Sequence, residues 1–272
     1  MQHRKIAFIG AGNMAKAIIA GLVNGGYPAG LITASSPSLT KESELHKLYG
    51  INCTNDNVES ARQADVVVLA VKPQMMAEVC TPLHQQLDLS GKLILSIAAG
   101  INVERFYQIL GPVDIIRIMP NTPSLIGFGM SGLYSPPDVS AQDRTFAEAL
   151  MKSVGKVCWV DNESGINGVI AAAGSAPAYF FLFMEAMQQE TERLGFSTQA
   201  ARELVQQAAL GAAHLVEANP QIEISTLRQQ VTSKGGTTAE ALRVFNDNKL
   251  SDIVASAMQA AITRATEMEK SL

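Results

Sequence analysis

The chain has 272 residues, of which 47% are hydrophobic and 17% are charged, a balance typical of a folded globular protein and not of a disordered one. Its length is enough for one large domain or two ordinary ones. The formal net charge of −4 at pH 7 and the absence of a long basic run give no electrostatic footprint for nucleic acid, so we expect no nucleic-acid partner.

The cysteines and histidines predict neither a disulfide framework nor a metal site. Cys53, Cys80 and Cys158 are odd in number, far apart and free of any CxxC pattern. The four histidines are scattered, without the short spacing that places two of them on one metal. We therefore expect reduced structural thiols, a cytoplasmic location and no bound metal.

The first 160 residues alternate short strand-like runs with helical patterns. The runs are rich in β-branched residues and mostly apolar on both faces, as buried parallel strands are. A helix at 140–154, with Ser140 as its N-cap, and a strand at 157–160 complete this half. The alternation predicts a Rossmann-type, doubly wound parallel sheet. The earlier predicted strands are 6–9, 31–34, 66–71, 93–97 and 115–119, and the predicted helices between them are 14–23, 41–49, 74–87 and 103–110.

After residue 160 the pattern is helical throughout. We predict a dinucleotide-binding domain over 1–160 and an all-helical domain over 161–272. Residues 164–184 carry no charge, and 21 residues are enough to span a bilayer. The run nevertheless contains Asn167, Gly174 and Pro177, and no Lys or Arg flanks it. A helix that is apolar on all sides also suits a dimer core, so we expect a homodimer or larger homo-oligomer and no membrane partner.

The first predicted strand leads into a glycine loop and then a helix, in the sequence KIAFIGAGNMAKAI. Gly10, Gly12 and Ala15 fit the pattern G-x-G-x-x-G/A. In this pattern the first glycine makes a tight turn, the second lets a pyrophosphate approach the backbone, and the third small residue allows close packing of helix on strand. The helix N-terminus then presents N–H donors to the phosphates. The alternative is a glycine turn without a ligand.

The end of the second strand bears on which cofactor is bound. NAD-binding proteins place an acid there to hold the ribose 2′-hydroxyl, but this chain has no acid before Glu42. The hydroxyls of Ser35 and Ser36, with Lys41 nearby, suit a 2′-phosphate better, which favours NADPH while leaving NADH possible. The alternative is that the serines only cap a turn.

The chain has no obvious acid–base group for an alcohol dehydrogenation. Tyr179 is not followed by a lysine four residues later, and the lysines beyond residue 160 are Lys234, Lys249 and Lys270. His214 lies in a helical pattern and is best explained as a helix-face residue. A protonated imine fits this combination, because it is already electrophilic and needs only to be positioned against a nicotinamide.

One stretch breaks the helical pattern of the second half. In VTSKGGTTAEAL, residues 231–242, two glycines are flanked by hydroxyl residues before the pattern resumes. Each glycine costs roughly 1 kcal/mol relative to alanine inside a helix. The stretch therefore indicates a place where bare backbone is needed.

The chain resembles the pyrroline-5-carboxylate reductases, which make proline in the last step of its synthesis. The resemblance runs nearly end to end. It is carried by FIGAGNMAKAI (8–18), AVKP (70–73), SIAAGI (96–101), RIMPNTP (117–123), GSAPAY (174–179) and VTSKGGTTAEAL (231–242), the last of which is the family signature. The resemblance implies a two-domain subunit whose helical half interlocks with a second subunit. It also implies NAD(P)H-dependent transfer of hydride to the cyclic imine carbon of 1-pyrroline-5-carboxylate.

The resemblance also implies site residues. Besides Gly10, the cofactor would be held at its pyrophosphate by Gly12, Asn13 and Met14, near its 2′-phosphate by Ser35 and Ser36, on its adenosine side by Asn57, and on its nicotinamide side by Val71, Lys72, Pro73, Ala98, Asn121 and Thr122. The substrate would be held by Ser233, Gly235, Gly236, Thr237 and Thr238.

The glycine pair then has an interpretation. Gly235 and Gly236, just before a helix starting near Thr237, would form a nest of N–H groups for the carboxylate. Thr238 would be the catalytic residue, facing the ring nitrogen. The alternative is a helix junction, with a glycine ending one helix and a threonine capping the next.

The chain departs from the family pattern at three positions. Lys234 replaces a proline, Ala176 stands where Gly or Ser is frequent, and Ala15 stands where Gly is usual. Two other functions stay open. One is reduction of a six-membered cyclic imine, and the other is a dinucleotide sensor without turnover, which would need no substrate nest.

Overall fold

The structure, a computed structural model, describes residues 3–40 and 43–271. Within these residues an eight-stranded sheet has the strand order β3-β2-β1-β4-β5-β6-β7-β8. The strands are β1 (Ile6–Ile9), β2 (Ile32–Ser35), β3 (Asn52–Thr54), β4 (Val66–Leu69), β5 (Leu93–Ser96), β6 (Asp114–Met119), β7 (Gly129–Tyr134) and β8 (Gly155–Trp159).

Helices follow most of the strands and make up the rest of the chain. They are α1 (Asn13–Asn24), α2 (Glu44–Tyr49), α3 (Asn57–Gln63), α4 (Met76–Gln86), α5 (Val103–Leu110), α6 (Ala141–Lys152), α7 (Gly165–Val169), α8 (Ala176–Arg193), α9 (Thr198–Ala218), α10 (Ile224–Gln230), α11 (Thr237–Asp247) and α12 (Leu250–Ser271). A turn of π-helix, Ile170–Gly174, joins α7 to α8.

The sheet is doubly wound, as the alternation of strands and helices predicts. The first six strands pair in parallel. β2 and β3 are added on one side of β1, and the chain then crosses to the other side of β1 to form β4, β5 and β6. β7 pairs antiparallel with β6, and β8 is parallel to β7. The sheet is therefore predominantly parallel, as predicted, with one antiparallel pair between β6 and β7. Only nine residues separate β6 from β7, too few for the crossover that a parallel pair requires.

The two faces of the sheet carry separate parts of the core. Ile6 and Phe8 of β1 pack on the face covered by α1, α2 and α6, whereas Ala7 and Ile9 pack on the face covered by α3, α4 and α5. Side chains alternate between faces along a strand, so a strand buried on both sides must be apolar at every position. This is why β1 and β4 read as uninterrupted apolar runs.

Three short elements differ from the prediction. β3, α3 and β7 were not predicted, because β3 has three residues, α3 is mostly polar, and β7 contains two glycines. Ser140 does cap α6, where its Oγ accepts from the Asp143 N–H at 3.1 Å. Of the predicted helix at 41–49, residues 41 and 42 lie outside the described residues.

By contacts, the chain forms two compact units. One, here the sheet unit, contains residues up to Ser175 and again from Ala260 onward; the other, here the helical unit, is 176–259. In the helical unit α8 packs on α9, and the Phe183 and Phe245 ring centroids are 5.9 Å apart. The predicted domain boundary at residue 160 lies directly after β8, the last strand of the sheet. It differs from the limits of the two contact-based units, and it stays a prediction of where one folding domain ends and the next begins.

The helical unit of a single chain leaves large apolar side chains uncovered. Phe180, Phe181 and Leu182 follow one another in α8 and are 67%, 62% and 68% exposed. The continuous helix Gly165–Arg193 is also long and apolar enough to cross a membrane by length and composition. Helices in the cores of soluble proteins meet the same criteria of length and composition, so these criteria are weak evidence that this helix spans a membrane.

Candidate active site

The loop between β1 and α1 has the backbone that the glycine pattern predicts. Gly10 has φ +102°, and its N–H donates to the carbonyl oxygen of Ser35 at 2.7 Å. A Cβ at this position would lie 2.6 Å from the carbonyl oxygen of Ala70. The loop therefore passes between the ends of β2 and β4 in a space that only glycine fits.

Gly12 has a different role from Gly10. It is the N-cap of α1 with φ −71°, and a Cβ built on it would meet nothing within 4 Å. The first turn of α1 contains no acidic residue, so its N–H groups, which have no partner within the helix, meet no competing negative charge from that turn. Asn13 is exposed, Met14 is partly buried, and Ala15 is buried under the loop. This is the geometry of an anion site at a helix N-terminus.

The two serines at the end of β2 are not equivalent. Ser35 is fully buried and its hydroxyl donates to Asn57 Oδ1 at 2.5 Å. Ser36 is partly exposed, with its N–H bonded to the carbonyl oxygen of Thr54 at 3.2 Å. The bond from Ser35 leaves the Asn57 amide NH₂ as the donor on the other side of that side chain. Lys41, predicted to lie near this end, is outside the described residues.

The residues expected beside the nicotinamide follow three neighbouring strands. Val71, Lys72 and Pro73 come after β4, Ala98 after β5, and Asn121 with Thr122 after β6. The carboxyl ends of adjacent parallel strands meet at one edge of a sheet, which is the edge where the Gly10 loop leaves β1. The structure thus brings the predicted cofactor residues to one edge. Lys72 and Thr122 are exposed there.

Asn121 has a structural role that the sequence did not indicate. Its side chain is buried, its Nδ2 donates to the carbonyl oxygen of Ala173 at 3.1 Å, and its Oδ1 accepts from the Met130 N–H at 2.9 Å. Ala173 belongs to the π-helical turn, where the regular bonding of an α-helix is interrupted. Asn121 therefore joins the loop after β6 to β7 and to the start of the long apolar helix.

The glycine pair forms a turn directly before α11. The Gly236 N–H donates to the carbonyl oxygen of Ser233 at 3.1 Å, and Gly235 has φ +71°. Gly236 itself has φ −85° and is the N-cap of α11. Thr237 and Thr238 are exposed in the first turn of that helix.

This geometry corrects the helix-junction alternative. The N-cap is Gly236 and not a threonine, and α10 already ends at Gln230, with Val231 as its C-cap. The turn exists because Gly235 adopts a left-handed conformation that a residue with a Cβ avoids. At Gly236, which has φ −85°, an added Cβ would lie 2.3 Å from Ser233 Oγ, so this hydroxyl would have to move.

The buried thiol of Cys80 does not add a second reactive group. Cys53, Cys80 and Cys158 are free, and burial raises the pKa of the Cys80 thiol to about 12. A thiol with that pKa is protonated at neutral pH and is a poor nucleophile. Within the described ranges, no group of three His, Cys, Asp or Glu side chains is placed to hold a metal ion.

Comparison with known proteins identifies the family. Residues 163–268 match the model for pyrroline-5-carboxylate reductase dimerisation, and residues 5–100 match the model for NADP oxidoreductase, coenzyme F420-dependent. A pyrroline-5-carboxylate reductase of Vibrio alginolyticus is 63% identical over 271 residues, covering 99% of each chain. The chain belongs to the pyrroline-5-carboxylate reductase family.

Solved structures of other pyrroline-5-carboxylate reductases share the whole fold. The enzyme from Coxiella burnetii has a TM-score of 0.92 and 39% identity, with 98% of this chain and 99% of that chain covered. A Plasmodium falciparum pyrroline carboxylate reductase with NADP bound has a TM-score of 0.87 and 28% identity, with 99% of each chain covered. The helical half of this family member is a dimerisation region, and that region includes both the uncharged run at 164–184 and the stretch at 231–242.

Proposed function

We propose that this chain reduces 1-pyrroline-5-carboxylate to L-proline with NADPH, as the last step of proline synthesis in the cytoplasm, in a homodimer or larger homo-oligomer. The observation that carries the proposal is the glycine turn before α11. It places bare backbone and two exposed threonine hydroxyls at the N-terminus of an eleven-residue helix. A small anionic substrate with one further polar atom suits that arrangement.

The sheet edge fits the dinucleotide. Gly12 leaves open space in front of the first turn of α1, where the N–H groups of Asn13 and Met14 would bind the pyrophosphate. NADPH, when bound, supplies a hydride from its nicotinamide ring. We propose that Ser36 and the amide of Asn57 face the 2′-phosphate, with Ser35 orienting Asn57. The nicotinamide side would be lined by Val71, Lys72, Pro73, Ala98, Asn121 and Thr122.

The substrate would be held by the signature stretch. We propose that the Gly235 N–H and the free N–H groups in the first turn of α11 bind its carboxylate, with Ser233 and Thr237 adding hydroxyl donors; the Gly236 N–H closes the turn on Ser233. Thr238 would accept a hydrogen bond from the protonated ring nitrogen and so orient the imine carbon. The hydride adds to that carbon and the nitrogen keeps its proton, so the product forms without a general acid from the protein.

One assay tests this function against its alternatives. Loss of NADPH absorbance is followed with pyrroline-5-carboxylate and, separately, with the six-membered piperideine carboxylate. We expect the five-membered imine to give the higher kcat/KM and proline as the product by chromatography. A higher kcat/KM with the six-membered ring would assign the related imine reductase. Tight NADPH binding without turnover of either imine would support the sensor instead.

A further inference from the structure

One carbonyl group in the long apolar helix cannot form its regular α-helical bond. The Ser175 N–H donates to the carbonyl oxygen of Ile170 at 2.7 Å, which is the five-residue spacing of a π-helix. In an α-helix the carbonyl oxygen of Ala173 would accept from the N–H four residues later. That residue is Pro177, which has no N–H, in the motif GSAPAY at 174–179. The motif therefore frees the Ala173 carbonyl oxygen for another donor.

The side chain of Asn121 is such a donor. It lies two residues beyond the end of β6, in the motif RIMPNTP, and its Nδ2 donates to the Ala173 carbonyl oxygen at 3.1 Å. Asn121 is 8% exposed, and a buried polar side chain is costly unless it is hydrogen-bonded. The bond therefore satisfies a carbonyl group that Pro177 leaves free. Its donor and its acceptor both belong to the sheet unit.

The other end of the Asn121 side chain continues the contact of β6 with β7. The last paired residues of these two strands are Met119 and Gly132. The same register, extended by two residues, sets Met130 opposite Asn121, and the Met130 N–H donates to Oδ1 of that side chain at 2.9 Å. A side-chain bond thus holds β7 at the point where the main chain turns away into the segment 122–126.

That segment belongs to the proposed cofactor site. It is a short 3₁₀-helix, Thr122–Ile126, and it packs against α1, whose first turn is the proposed pyrophosphate site. Asn121 is the N-cap residue of this helix, but its side chain makes no capping bond to it. Thr122 is exposed at the edge of the sheet. The amide of Asn121 is therefore used to hold the start of the segment against its neighbours.

The strand before the segment is anchored by other groups. Arg117 of β6 is 2% exposed, and its Nη1 donates to Glu163 Oε1 at 2.6 Å and to Glu269 Oε1 at 3.0 Å. β6 itself is thus held without Asn121. The bonds of Asn121 act on the residues that follow the strand.

We infer that Asn121 is a positioning residue for the nicotinamide, an inference that rests on the proposed function. Both ends of its side chain are bonded to backbone groups, so the amide acts on the cofactor through Thr122 and not by direct contact. It fixes the direction in which the chain leaves β6 and thereby the place of Thr122 beside the nicotinamide ring. A displacement of about 1 Å between reacting atoms is enough to slow a reaction about a hundred-fold.

Two variants of Asn121 form the test. Asn121→Ala removes both bonds at every pH. In Asn121→Asp an ionised carboxyl can still accept from the Met130 N–H, but it has no hydrogen to donate to the Ala173 carbonyl oxygen. A protonated carboxyl can do both. Burial disfavours the ionised form and so raises the pKa of the introduced carboxyl. The second variant should therefore recover both bonds at acidic pH.

We expect Asn121→Ala to lower kcat for the imine by about ten-fold or more at every pH. Asn121→Asp should approach the parent at acidic pH and fall toward Asn121→Ala as pH rises through the pKa of the introduced carboxyl, each kcat being divided by that of the parent at the same pH. The Kd of 2′,5′-ADP, which has the 2′-phosphate and lacks the nicotinamide, should stay within about two-fold of the parent in both variants.

Asn52→Asp is the matched control. Asn52 also donates from Nδ2 to a carbonyl oxygen, that of Gly30 at 3.0 Å, but it is exposed and lies at the start of β3. It should match the parent at every pH. Parental kcat in Asn121→Ala would overturn the inference, and so would a kcat of Asn121→Asp that nowhere exceeds that of Asn121→Ala. A loss of 2′,5′-ADP affinity parallel to the loss of kcat would also overturn it, because the amide would then only stabilise the sheet unit.

Hydrogen exchange separates this inference from the proposed function. Asn121→Ala should speed exchange of the Met130 amide and leave α6 unchanged, and unchanged exchange at Met130 would contradict the holding role whatever the enzyme reduces. A parent chain that binds NADPH but does not turn over pyrroline-5-carboxylate would instead refute the proposed function. The fluorescence of bound NADPH, which reports on the surroundings of its nicotinamide ring, would then decide the inference. It should change in Asn121→Ala and not in Asn52→Asp, and an equal signal in both would refute the positioning role.

Discussion

At the scale of single residues, two glycines have positive φ at places where we propose that an anion binds. Gly10 turns the chain between two strand ends, and Gly235 turns it before α11. Each is followed by a glycine that caps a helix with ordinary dihedral angles, namely Gly12 and Gly236. The first glycine makes the turn possible, and the second keeps the backbone bare where the helix begins. This division of roles can be tested one residue at a time.

Substitution of the loop glycines should separate folding from cofactor binding. Gly10→Ala puts a Cβ 2.6 Å from the Ala70 carbonyl oxygen at φ +102°, and we expect it to reduce the free energy of unfolding by at least about 2 kcal/mol. Gly12→Ala has an allowed φ and meets no protein atom, so it should fold with a parental Tm and bind NADPH more weakly. Thermal unfolding and NADPH titration of both variants decide this. A parental Tm for Gly10→Ala would contradict it.

Cofactor preference should depend on Ser36. Ser36→Asp places a carboxylate on a partly exposed position, where it repels a 2′-phosphate and can accept from a 2′-hydroxyl. The ratio of kcat/KM for NADPH over NADH should fall by about ten-fold, equivalent to ~1.4 kcal/mol. Ser35 is a poorer place for this test, because a carboxylate there would be buried against Asn57. Gln86→Glu, which adds the same charge at the exposed end of α4, is the control and should leave the ratio unchanged.

At the scale of elements, the start of α11 combines two proposed tasks that kinetics can separate. Gly236→Ala keeps an allowed φ of −85° but displaces Ser233 Oγ and fills the turn. It should mainly raise KM, because the carboxylate is bound equally in ground and transition states. Thr238→Ala should lower kcat by roughly ten- to a hundred-fold if the lost bond contributes about 1.5–3 kcal/mol in the transition state.

The control for these two variants is Thr226→Ala, which removes an exposed hydroxyl from α10 outside the stretch. It should leave both constants unchanged. NADPH affinity should be parental in all three variants, because the phosphate site is on the Gly10 loop. Parental rates in both Gly236→Ala and Thr238→Ala, with normal circular dichroism, would show that the stretch is only a turn between helices.

The elements that could be predicted from sequence are those whose pattern is set by burial. β1 and β4 are apolar at every position because both sheet faces are covered, and α5 was predicted with its bounds because its apolar side is sharply defined. β7 could not be predicted from its own sequence pattern, because its glycines are required by close contacts with residues of other elements. A Cβ on Gly132 would overlap Val169, and one on Gly129 would overlap Ser124 Oγ. Those requirements come from tertiary neighbours, and no local pattern contains them.

The candidate site residues divide in the same way, into those that a local sequence pattern indicates and those whose role depends on distant partners. The glycine loop and the signature stretch are local, so their residues could be read from the sequence. The dual bonding of Asn121 and the pairing of Arg117 with Glu163 and Glu269 could not, because the partners are 46 and 152 residues from Arg117. The bond from Ser35 to Asn57 also joins two elements, and the burial of Ser35 leaves Ser36 as the more exposed serine.

At the scale of the whole molecule, the exposed apolar side chains of the helical unit require a covering surface. A monomer would present Phe180, Phe181 and Leu182 to water, and contiguous patches of that kind mark association sites. The match of this region to the family's dimerisation model gives the expected partner, a second copy of the chain. The exposed part of the uncharged run, 180–183, would then be apolar because it lies in a dimer core.

Light scattering at micromolar concentration should therefore give at least the mass of a dimer. Leu182→Glu should shift the mass toward the monomer, because it places a charge in the proposed interface. Leu48→Glu is the control, since Leu48 is 64% exposed but lies on α2 of the sheet unit, and it should not change the mass. A monomeric parent, or dissociation caused equally by both variants, would contradict an interface in the helical unit.

The return of α12 to the sheet unit has a consequence for how the protein is made. A ribosome releases the β1–β8 sheet long before Glu269, which lies in the last turn of α12. The first unit to emerge is therefore incomplete until residues 260–271 have been translated, and Arg117 can pair only with Glu163 before then. Domains usually fold in the order in which they leave the ribosome. Here we expect the amino-terminal unit to reach its final stability last, after the helical unit has been translated.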